Sequence, residues 1–441
     1  MKYYSTNGAV APVSLEDAVL KVVAADGGLY MPWQLRKLPD AFFHNIGEMS
    51  LKEIAFIVAD EFFGEDIPSQ KLQEIVNDTF TFELPLMQVD ENVFSLELYH
   101  GPTGSYQDAG ARFMARLTAA LLEQKRMRGV VNVLVACKGD TGGAVANGFL
   151  DVPGFNVFVV YPKGEMCEMQ EKAITSLRGN VTAVEVNGSF EECVTLVKTA
   201  FADTALNQRQ RLVSGNSGNL ARILPQIIFF FSAYGQYRKA GHTGEPVFCI
   251  PGSSMSNLLT ALFARRMGLP VKRFMVASTK DDSMLRFLRT GENVSDHEIS
   301  SYTVEVDDPG NFMRIMNLYG EDPDLLRKEI TGFNYPERKM RRTLTKLHES
   351  IDYLLDVESA CGYQALKDGL KEDETGIFLT NIHPAKCREY LEPVIGEVVF
   401  APPYLDHFLE GVKLTYEIPP LYSSFKKILE ECAGSVCRVP K

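Results

Sequence analysis

The 441-residue sequence lacks an excess of positive charge and any long apolar run. Its formal charge of −12 argues against a nucleic-acid-binding surface, which needs a basic stripe. Because we find no run of 18 apolar residues, we expect no membrane-spanning helix and no membrane partner. The first eight residues lack the apolar core of a signal peptide, so we expect a cytoplasmic protein.

The cysteines also lack clustering. All eight are dispersed and none forms a C-x-x-C pair, which argues against a zinc site, and we expect no bound metal. Free thiols in a reducing compartment are the favoured interpretation. Cys432 and Cys437 are close enough in sequence to form a disulfide, which stays open as the less favoured alternative.

Apolar, strand-like runs alternate with helical periodicity along the chain. Strands are predicted at 130–136, 156–161, 181–186, 245–250 and 271–277, and helices at 15–25, 51–63, 71–77, 143–149, 166–178 and 257–267. Strands that are apolar throughout indicate parallel sheets covered on both faces. The pattern predicts an α/β protein with more than one doubly wound unit, in which ligands bind at the carboxyl ends of strands.

We predict three regions from changes in composition and from the positions of the motifs. Residues 1–95 form a helix-rich amino-terminal region, residues 96–240 a small α/β domain, and residues 241–441 a large α/β domain.

Six ordered motifs indicate a family. Residues 97–114 read Glu-Leu-Tyr-His-Gly-Pro-Thr-Gly-Ser-Tyr-Gln-Asp-Ala-Gly-Ala-Arg-Phe-Met, and further motifs lie at 26–32, 139–146, 214–226, 310–315 and 382–386. In this order and spacing they resemble the threonine synthase family over the full length. The resemblance implies the type II fold of pyridoxal-phosphate enzymes, with two open, twisted, mainly parallel sheets. The family converts O-phospho-L-homoserine and water to L-threonine and phosphate.

Gln107 occupies the position of the family's cofactor-binding lysine. A lysine amine condenses with the cofactor aldehyde, whereas an amide nitrogen cannot, because its lone pair is delocalised into the carbonyl. Gln107 either fills the lysine's volume or presents its amide to a different ligand. An engineered substitution is a third interpretation, which we disfavour because Gly104, Ser105 and Tyr106 also differ from the Leu-Ala-Phe usual in the family.

The family's cofactor-phosphate loop, Pro-Ser-Gly-Asn-Phe-Gly, is also altered. The resemblance assigns cofactor binding here to Gly252, Ser253, Ser254, Met255 and Ser256. One glycine and three hydroxyls could still donate to an anion. The alternative is that Ser256 or Asn257 caps the following helix.

Two further cofactor residues follow from the resemblance. Asn381 replaces the threonine that faces the cofactor ring nitrogen, and Asp140 joins the cofactor-binding set. His383 is expected to be structural. In residues 356–360, Asp-Val-Glu replaces the family's Asp-Pro-His at the first three positions.

Lys138 replaces a serine that usually precedes Gly-Asp-Thr-Gly, so it brings a positive charge to the cleft. It either pairs with a nearby carboxylate, clamps an anionic ligand, or replaces the missing lysine. The other predicted substrate-binding residues match the family's motifs: Thr103, Gly139, Thr141, Asn216, Ser217, Asn219 and Arg222. Arg222 offers the rigid fork that phosphate oxygens favour.

We therefore predict a threonine synthase-like protein in which threonine synthesis is lost or strongly impaired and a small anionic amino-acid-like ligand is bound. Covalently attached pyridoxal phosphate is expected to be absent, and the protein to be a monomer or homodimer. A slow enzyme that uses non-covalent cofactor or Lys138, and a regulatory partner of an active paralogue, stay as alternatives.

Overall fold

The computed structural model describes residues 1–127, 129–252, 254–279, 283–291, 309–320 and 322–431. Cys432 and Cys437, and Ser253 of the altered phosphate loop, lie outside the described residues. The strands are β1 Tyr3–Ser5, β2 Tyr30–Pro32, β3 Leu86–Asp90, β4 Val93–Glu97, β5 Val131–Ala136, β6 Phe155–Pro162, β7 Val181–Val186, β8 Arg211–Ser214, β9 Val247–Pro251, β10 Arg273–Ser278, β11 Ile330–Asn334, β12 Gly376–Thr380 and β13 Tyr416–Ile418.

The helices surround these strands. They are α1 Leu15–Lys21, α2 Asp40–Asn45, α3 Leu51–Phe63, α4 Ser69–Thr79, α5 Gln107–Gln124, α6 Asp140–Phe149, α7 Glu168–Thr175, α8 Phe190–Ala202, α9 Thr204–Asn207, α10 Leu220–Ile223, α11 Ile227–Lys239, α12 Met255–Arg266, α13 Ser283–Thr290, α14 Pro309–Leu318, α15 Pro323–Glu329, α16 Glu337–Ile351, α17 Val357–Gly369, α18 Arg388–Ile395, α19 Pro403–Glu410 and α20 Tyr422–Glu431. Short 3₁₀ turns occupy Ile46–Glu48, Leu224–Gln226 and Pro384–Cys387. Over the described residues, every helix is too short or too polar to span a bilayer.

Two mainly parallel sheets organise the fold, as the sequence predicts. The five-stranded sheet has the order β13-β7-β6-β5-β8, and all its pairs are parallel. The six-stranded sheet has the order β11-β10-β9-β12-β4-β3, with β3 antiparallel to β4. The predicted α/β architecture with two open sheets is therefore confirmed. The division into regions at residues 95 and 240 stays a prediction. The chain crosses between the sheets, since β3 and β4 belong to the six-stranded sheet and β13 belongs to the five-stranded sheet.

Both faces of the five-stranded sheet are covered, which explains why its strands are apolar throughout. Val133 and Val157 pack into one hydrophobic cluster, while their neighbours Leu134 and Phe158 pack into another on the opposite face. Side chains alternate between the faces of a strand. Helices on both sides therefore require apolar residues at successive positions.

Local signals fix the starts of several helices. Ser50 and Glu53 form a reciprocal capping box at α3, and Ser189 and Glu192 form another at α8. Such boxes satisfy two backbone N–H groups that the first turn leaves without helical partners. The predicted helix at 51–63 matches the bounds of α3.

Candidate ligand-binding site

A cavity of about 750 Å³ is lined by loops that follow the carboxyl ends of strands in both sheets. The six-stranded sheet contributes the turn after β9 and Asn381 after β12. The five-stranded sheet contributes residues 137–141 after β5 and residues 216–218 after β8. Ligands of doubly wound α/β folds bind at this edge. Eleven of the predicted site residues line the cavity: Gln107, Lys138, Gly139, Asp140, Thr141, Asn216, Ser217, Arg222, Gly252, Ser254 and Asn381.

Gln107 and Arg222 form a buried pair in the cavity lining. Gln107 is the first residue of α5 and is 6 % exposed, while Arg222 is 1 % exposed. The Arg222 Nη2 donates to the Gln107 Oε1 and, at 3.2 Å, to the Thr141 Oγ1. The Arg222 Nη1 donates to the Gly215 carbonyl at 3.1 Å. These three acceptors are neutral oxygens, and Gln107 supplies one of them.

A glycine in α5 permits this approach. A Cβ at Gly110 would collide with the backbone carbonyl of Arg222. The glycine of the Asp-Ala-Gly-Ala-Arg segment is therefore needed for the close packing of α5. It brings α5 against the short helix α10 that carries Arg222.

Asn216 lines the cavity but also holds the end of a strand. Its Nδ2 donates to the Ala136 carbonyl at 2.9 Å, and its Oδ1 accepts from the Ala136 N–H at 3.3 Å. Ser217 is 6 % exposed and lines the cavity beside it. Asn216 therefore presents an amide whose orientation is fixed by β5.

Thr103 and Asn219 lie in the scaffold. Thr103 donates through its N–H and its hydroxyl to the Asp108 carboxylate, at 2.9 and 2.7 Å. Asn219 is fully buried, and its amide donates to the carbonyls of Val19 and Ser214 at 3.0 and 3.1 Å. Neither is among the described residues that line the cavity. The role of Thr103 and Asn219 in substrate binding stays a prediction.

A buried ion pair fixes the start of α6. Lys386 is 2 % exposed and pairs with Asp140, the first residue of α6. The Lys386 Nζ also donates to the Thr103 carbonyl at 2.7 Å, and the Gln170 amide donates to Asp140 at 3.2 Å. Lys386 is the last residue of the motif at 382–386, but the sequence did not predict that it pairs with Asp140. The spacing of 246 residues between the partners gives no signal in the sequence.

The residue that caps the helix after β9 is not one of the two that were expected. Helix α12 begins at Met255, and Ser254 is its cap, accepting from the Asn257 N–H at 3.4 Å. The prediction that Ser256 or Asn257 caps this helix is wrong, because the helix begins before both. Met255 and Ser256 are buried in its first turn, and only Gly252 and Ser254 of the described turn residues line the cavity.

A carboxylate lies against this turn. Gly252 has a φ of +70°, and a Cβ built there would lie 3.2 Å from the Glu358 side chain. Thr279 donates to Glu358 at 3.1 Å. Nearby Asp356 caps α17 through the N–H groups of residues 358 and 359, and burial raises the pKa of its carboxyl. Glu358 therefore borders the predicted anion loop, and the side chains of both Glu358 and Asp356 line the cavity.

Lys138 and Asn381 lie on opposite sheets. The Lys138 side chain is 9 % exposed, with its Nζ 5.3 Å from the Phe190 ring centroid and 3.9 Å from the Glu165 carboxylate. The Asn381 Oδ1 accepts from the Asn257 amide at 3.2 Å, and its backbone carbonyl accepts from Tyr106 at 2.8 Å. Lys138 therefore lies near a carboxylate and also lines the cavity.

His383 is held as a neutral ring. Burial lowers its pKa to about 4, and its Nδ1 accepts from the Ala385 N–H at 3.1 Å, which caps a 3₁₀ turn. The Tyr99 ring packs edge-on at 5.2 Å. These contacts support the structural role expected from the sequence.

Sequence reasoning missed one wall of the cavity. Phe190, Val194 and Phe201 of α8 line it together with Val23 and Leu29 of the amino-terminal region. Apolar residues at this helical spacing normally indicate a face that packs into the hydrophobic core, and α8 does have such a face. Among the described residues, no group of three or more His, Cys, Asp or Glu side chains is placed to hold a metal ion.

Comparison with known proteins identifies relatives over nearly the whole chain. Residues 2–80 match the family model described as threonine synthase N terminus. Threonine synthase of Haemophilus influenzae is 35 % identical over 92 % of this chain and 94 % of its own length. The crystal structure of threonine synthase from Escherichia coli has a TM-score of 0.87, with 31 % identity over 98 % of this chain and all of that one.

A further solved relative is described with its cofactor. The crystal structure of pyridoxal-phosphate-bound threonine synthase from Brucella melitensis has a TM-score of 0.88 and 25 % identity, over 98 % of this chain and 99 % of that one. Together with the two sheets described above, these matches confirm the predicted type II architecture.

Proposed function

The chain belongs to the threonine synthase family, and on that premise we propose that it has lost the family's lysine-dependent reaction and binds a small anionic amino-acid-like ligand in its cavity. The family's reaction, as the resemblance implies, needs a lysine amine at the position of Gln107.

The Gln107–Arg222 hydrogen bond is the observation that carries the proposal. An amide nitrogen cannot condense with an aldehyde, and the Gln107 oxygen already accepts from a buried guanidinium. General acid–base catalysis by other groups contributes typically about 10²–10⁴-fold, whereas the cofactor carries the hard chemistry of such reactions. Loss of the lysine therefore removes more than a neighbouring group can replace.

The residues that the resemblance assigns to the cofactor do not fit covalently attached pyridoxal phosphate. Gln107 lacks the required amine. Glu358 borders the turn at Gly252, where a phosphate would need positive potential, and like charges repel most strongly where burial reduces screening.

Anion binding is supported by the opposite wall. The Lys138 side chain is largely buried beside the cavity, and its Nζ lies 3.9 Å from the Glu165 carboxylate. Asn216 and Ser217 add neutral polar groups to the same wall. An ammonium group in such a partly buried place favours a carboxylate or phosphate more than it would in water.

Calorimetric titration tests the proposal. O-phospho-L-homoserine is titrated into the protein without added pyridoxal phosphate, and we expect saturable binding that weakens at least tenfold in Lys138→Met. Lys163→Met is the matched control, because Lys163 is exposed and pairs with Glu417 at 2.8 Å outside the cavity lining. A parallel assay should detect neither threonine nor released phosphate.

The contrary outcomes are specific. Threonine formation by the unaltered protein would contradict the proposal, and a Lys138-dependent phosphate release would favour the slow-enzyme alternative. Co-purification with an active threonine synthase, together with no ligand binding, would favour a regulatory role.

A further inference from the structure

One side of the cavity is apolar, and α8 supplies much of it. Phe190, Val194, Val197 and Phe201 line the cavity and are spaced four, three and four residues apart. This spacing puts them on one face of a helix. Phe201 is 36 % exposed, and the side chains of Phe190 and Val194 are half-buried. They therefore present apolar surface that is not fully covered by the protein.

A turn after α1 supplies more apolar surface to the cavity. Val23 and Leu29 pair in an antiparallel bridge at the two ends of this turn, and both line the cavity. Val23 is 51 % exposed. The preceding residue, Val22, has a φ of +63°, which a β-branched residue rarely adopts. The local backbone is thus held in an uncommon conformation where it meets the cavity.

Positive charges accompany this apolar surface. Lys21 and Lys198 line the cavity with Lys138. Lys21 also pairs with Asp17 at 2.7 Å, on the surface of α1. The Lys138 Nζ lies over the Phe190 ring, so a buried cation and the apolar face of α8 meet at one place. Asp140 on this side of the cavity is already neutralised by Lys386.

We propose that the cavity takes an amphipathic ligand, an amino acid with an extended apolar side chain that packs against α8 and the 23–29 turn while its anionic group faces Lys138. This inference rests on the proposed ligand-binding function and names the class of ligand. The cavity volume of about 750 Å³ lies within the range that holds drug-sized molecules. A short polar amino acid would leave the apolar surface in contact with water.

A homologous series of ligands tests the proposal. L-2-aminobutyrate, L-norvaline, L-norleucine and L-2-aminooctanoate differ by methylene groups alone. Burying one methylene group is worth a gain in affinity of roughly fourfold. We expect the dissociation constant, measured by calorimetry with the full chain, to fall by roughly that factor per methylene before it levels off.

Variants of the apolar wall locate the effect. Val194→Asn makes the wall polar without adding charge, and we expect it to abolish the gain with chain length. Val412→Asn is the matched control, because Val412 is 64 % exposed and lies outside the cavity lining, so the gain should persist. Phe201→Ser, at a partly exposed position, should reduce the gain even if Val194→Asn fails to fold.

The outcomes separate this inference from the function on which it rests. Binding of O-phospho-L-homoserine with no gain along the series would overturn the amphipathic ligand and leave the proposed function standing. No binding of any of these compounds would overturn both. If affinity still increases with ligand chain length in both Val194→Asn and Phe201→Ser, the apolar side chain of the ligand does not pack against α8, and the inference is contradicted.

Discussion

Gln107 accepts a hydrogen bond from the guanidinium of Arg222, and both side chains are almost completely buried. The pair joins the first residue of α5 to the short helix α10. The neutral amide gives the buried cation an acceptor without introducing a second charge. This relationship makes several effects of substitution predictable.

Removing the acceptor should destabilise the fold. Gln107→Met retains much of the side-chain volume but leaves the Arg222 Nη2 without that oxygen. Losing one hydrogen bond to a buried charged group costs about 1.5–3 kcal/mol, and we expect the free energy of unfolding to fall by that amount in urea at pH 7. Gln107→Glu restores an acceptor and should be more stable than Gln107→Met. Equal stability of Gln107→Met and the unaltered protein would contradict the assigned contact.

Restoring the lysine should not restore the reaction. Gln107→Lys places an amine next to the buried Arg222 guanidinium, while Glu358 still borders the Gly252 turn. Two like charges in a buried place repel each other, and the turn stays unfavourable for a phosphate. We expect no measurable threonine formation from O-phospho-L-homoserine with added pyridoxal phosphate. Robust formation by this single variant would contradict the proposal that the altered turn at Gly252 also prevents the reaction.

The Lys386–Asp140 pair should be strongly coupled. Lys386→Met leaves the Asp140 carboxylate without its buried partner, which typically costs about 3–5 kcal/mol. In the double variant Lys386→Met with Asp140→Asn, neither charge remains, and we expect much of that loss to be recovered. A double-mutant cycle in urea measures the coupling. Additive losses in the cycle would contradict a direct pair.

His383 should make stability depend on pH between about 4 and 6.5. Burial lowers the pKa of the folded protein's His383 to about 4, while the unfolded chain titrates near 6.5. As the pH falls below 6.5 the unfolded chain binds a proton first, so the free energy of unfolding decreases. The contribution is complete above pH 6.5 and lost by about pH 4, a change of about 3 kcal/mol.

His383→Asn provides the control for this pH dependence. An asparagine can still accept from the Ala385 N–H as a cap, but it does not titrate. The unaltered protein and the variant should therefore differ in the slope of unfolding free energy against pH in this interval. Identical slopes would mean that His383 is protonated in the folded protein at the same pH as in the unfolded chain.

The sheets were predictable because their cause is local in the sequence. Apolar runs such as those of β5 and β6 indicate strands covered on both faces, and the motif at 97–114 indicates the family before any contact is known. Eleven predicted site residues line one cavity because they follow carboxyl ends of strands that the topology brings together. The fold thus follows from pattern and resemblance.

Particular contacts were not predictable, because their partners are distant in sequence. Nothing near Gln107 indicates that Arg222 would contact it, 115 residues away. Thr103 and Asn219 carry the same residue types that a binding site uses, yet their hydrogen bonds go to the scaffold. The stripe on α8 has the periodicity of a core face, and only the tertiary structure shows that part of it borders a cavity.

The most direct test of the central claim is a visible absorption spectrum of the purified protein with added pyridoxal phosphate, before and after borohydride reduction and dialysis. The account predicts no aldimine band that survives dialysis and no cofactor fixed to the chain, because Gln107 offers no amine. A retained band fixed by borohydride would contradict it. Peptide mapping by mass spectrometry would then examine Lys138 first, followed by Lys21 and Lys198, the other lysines of the described cavity lining.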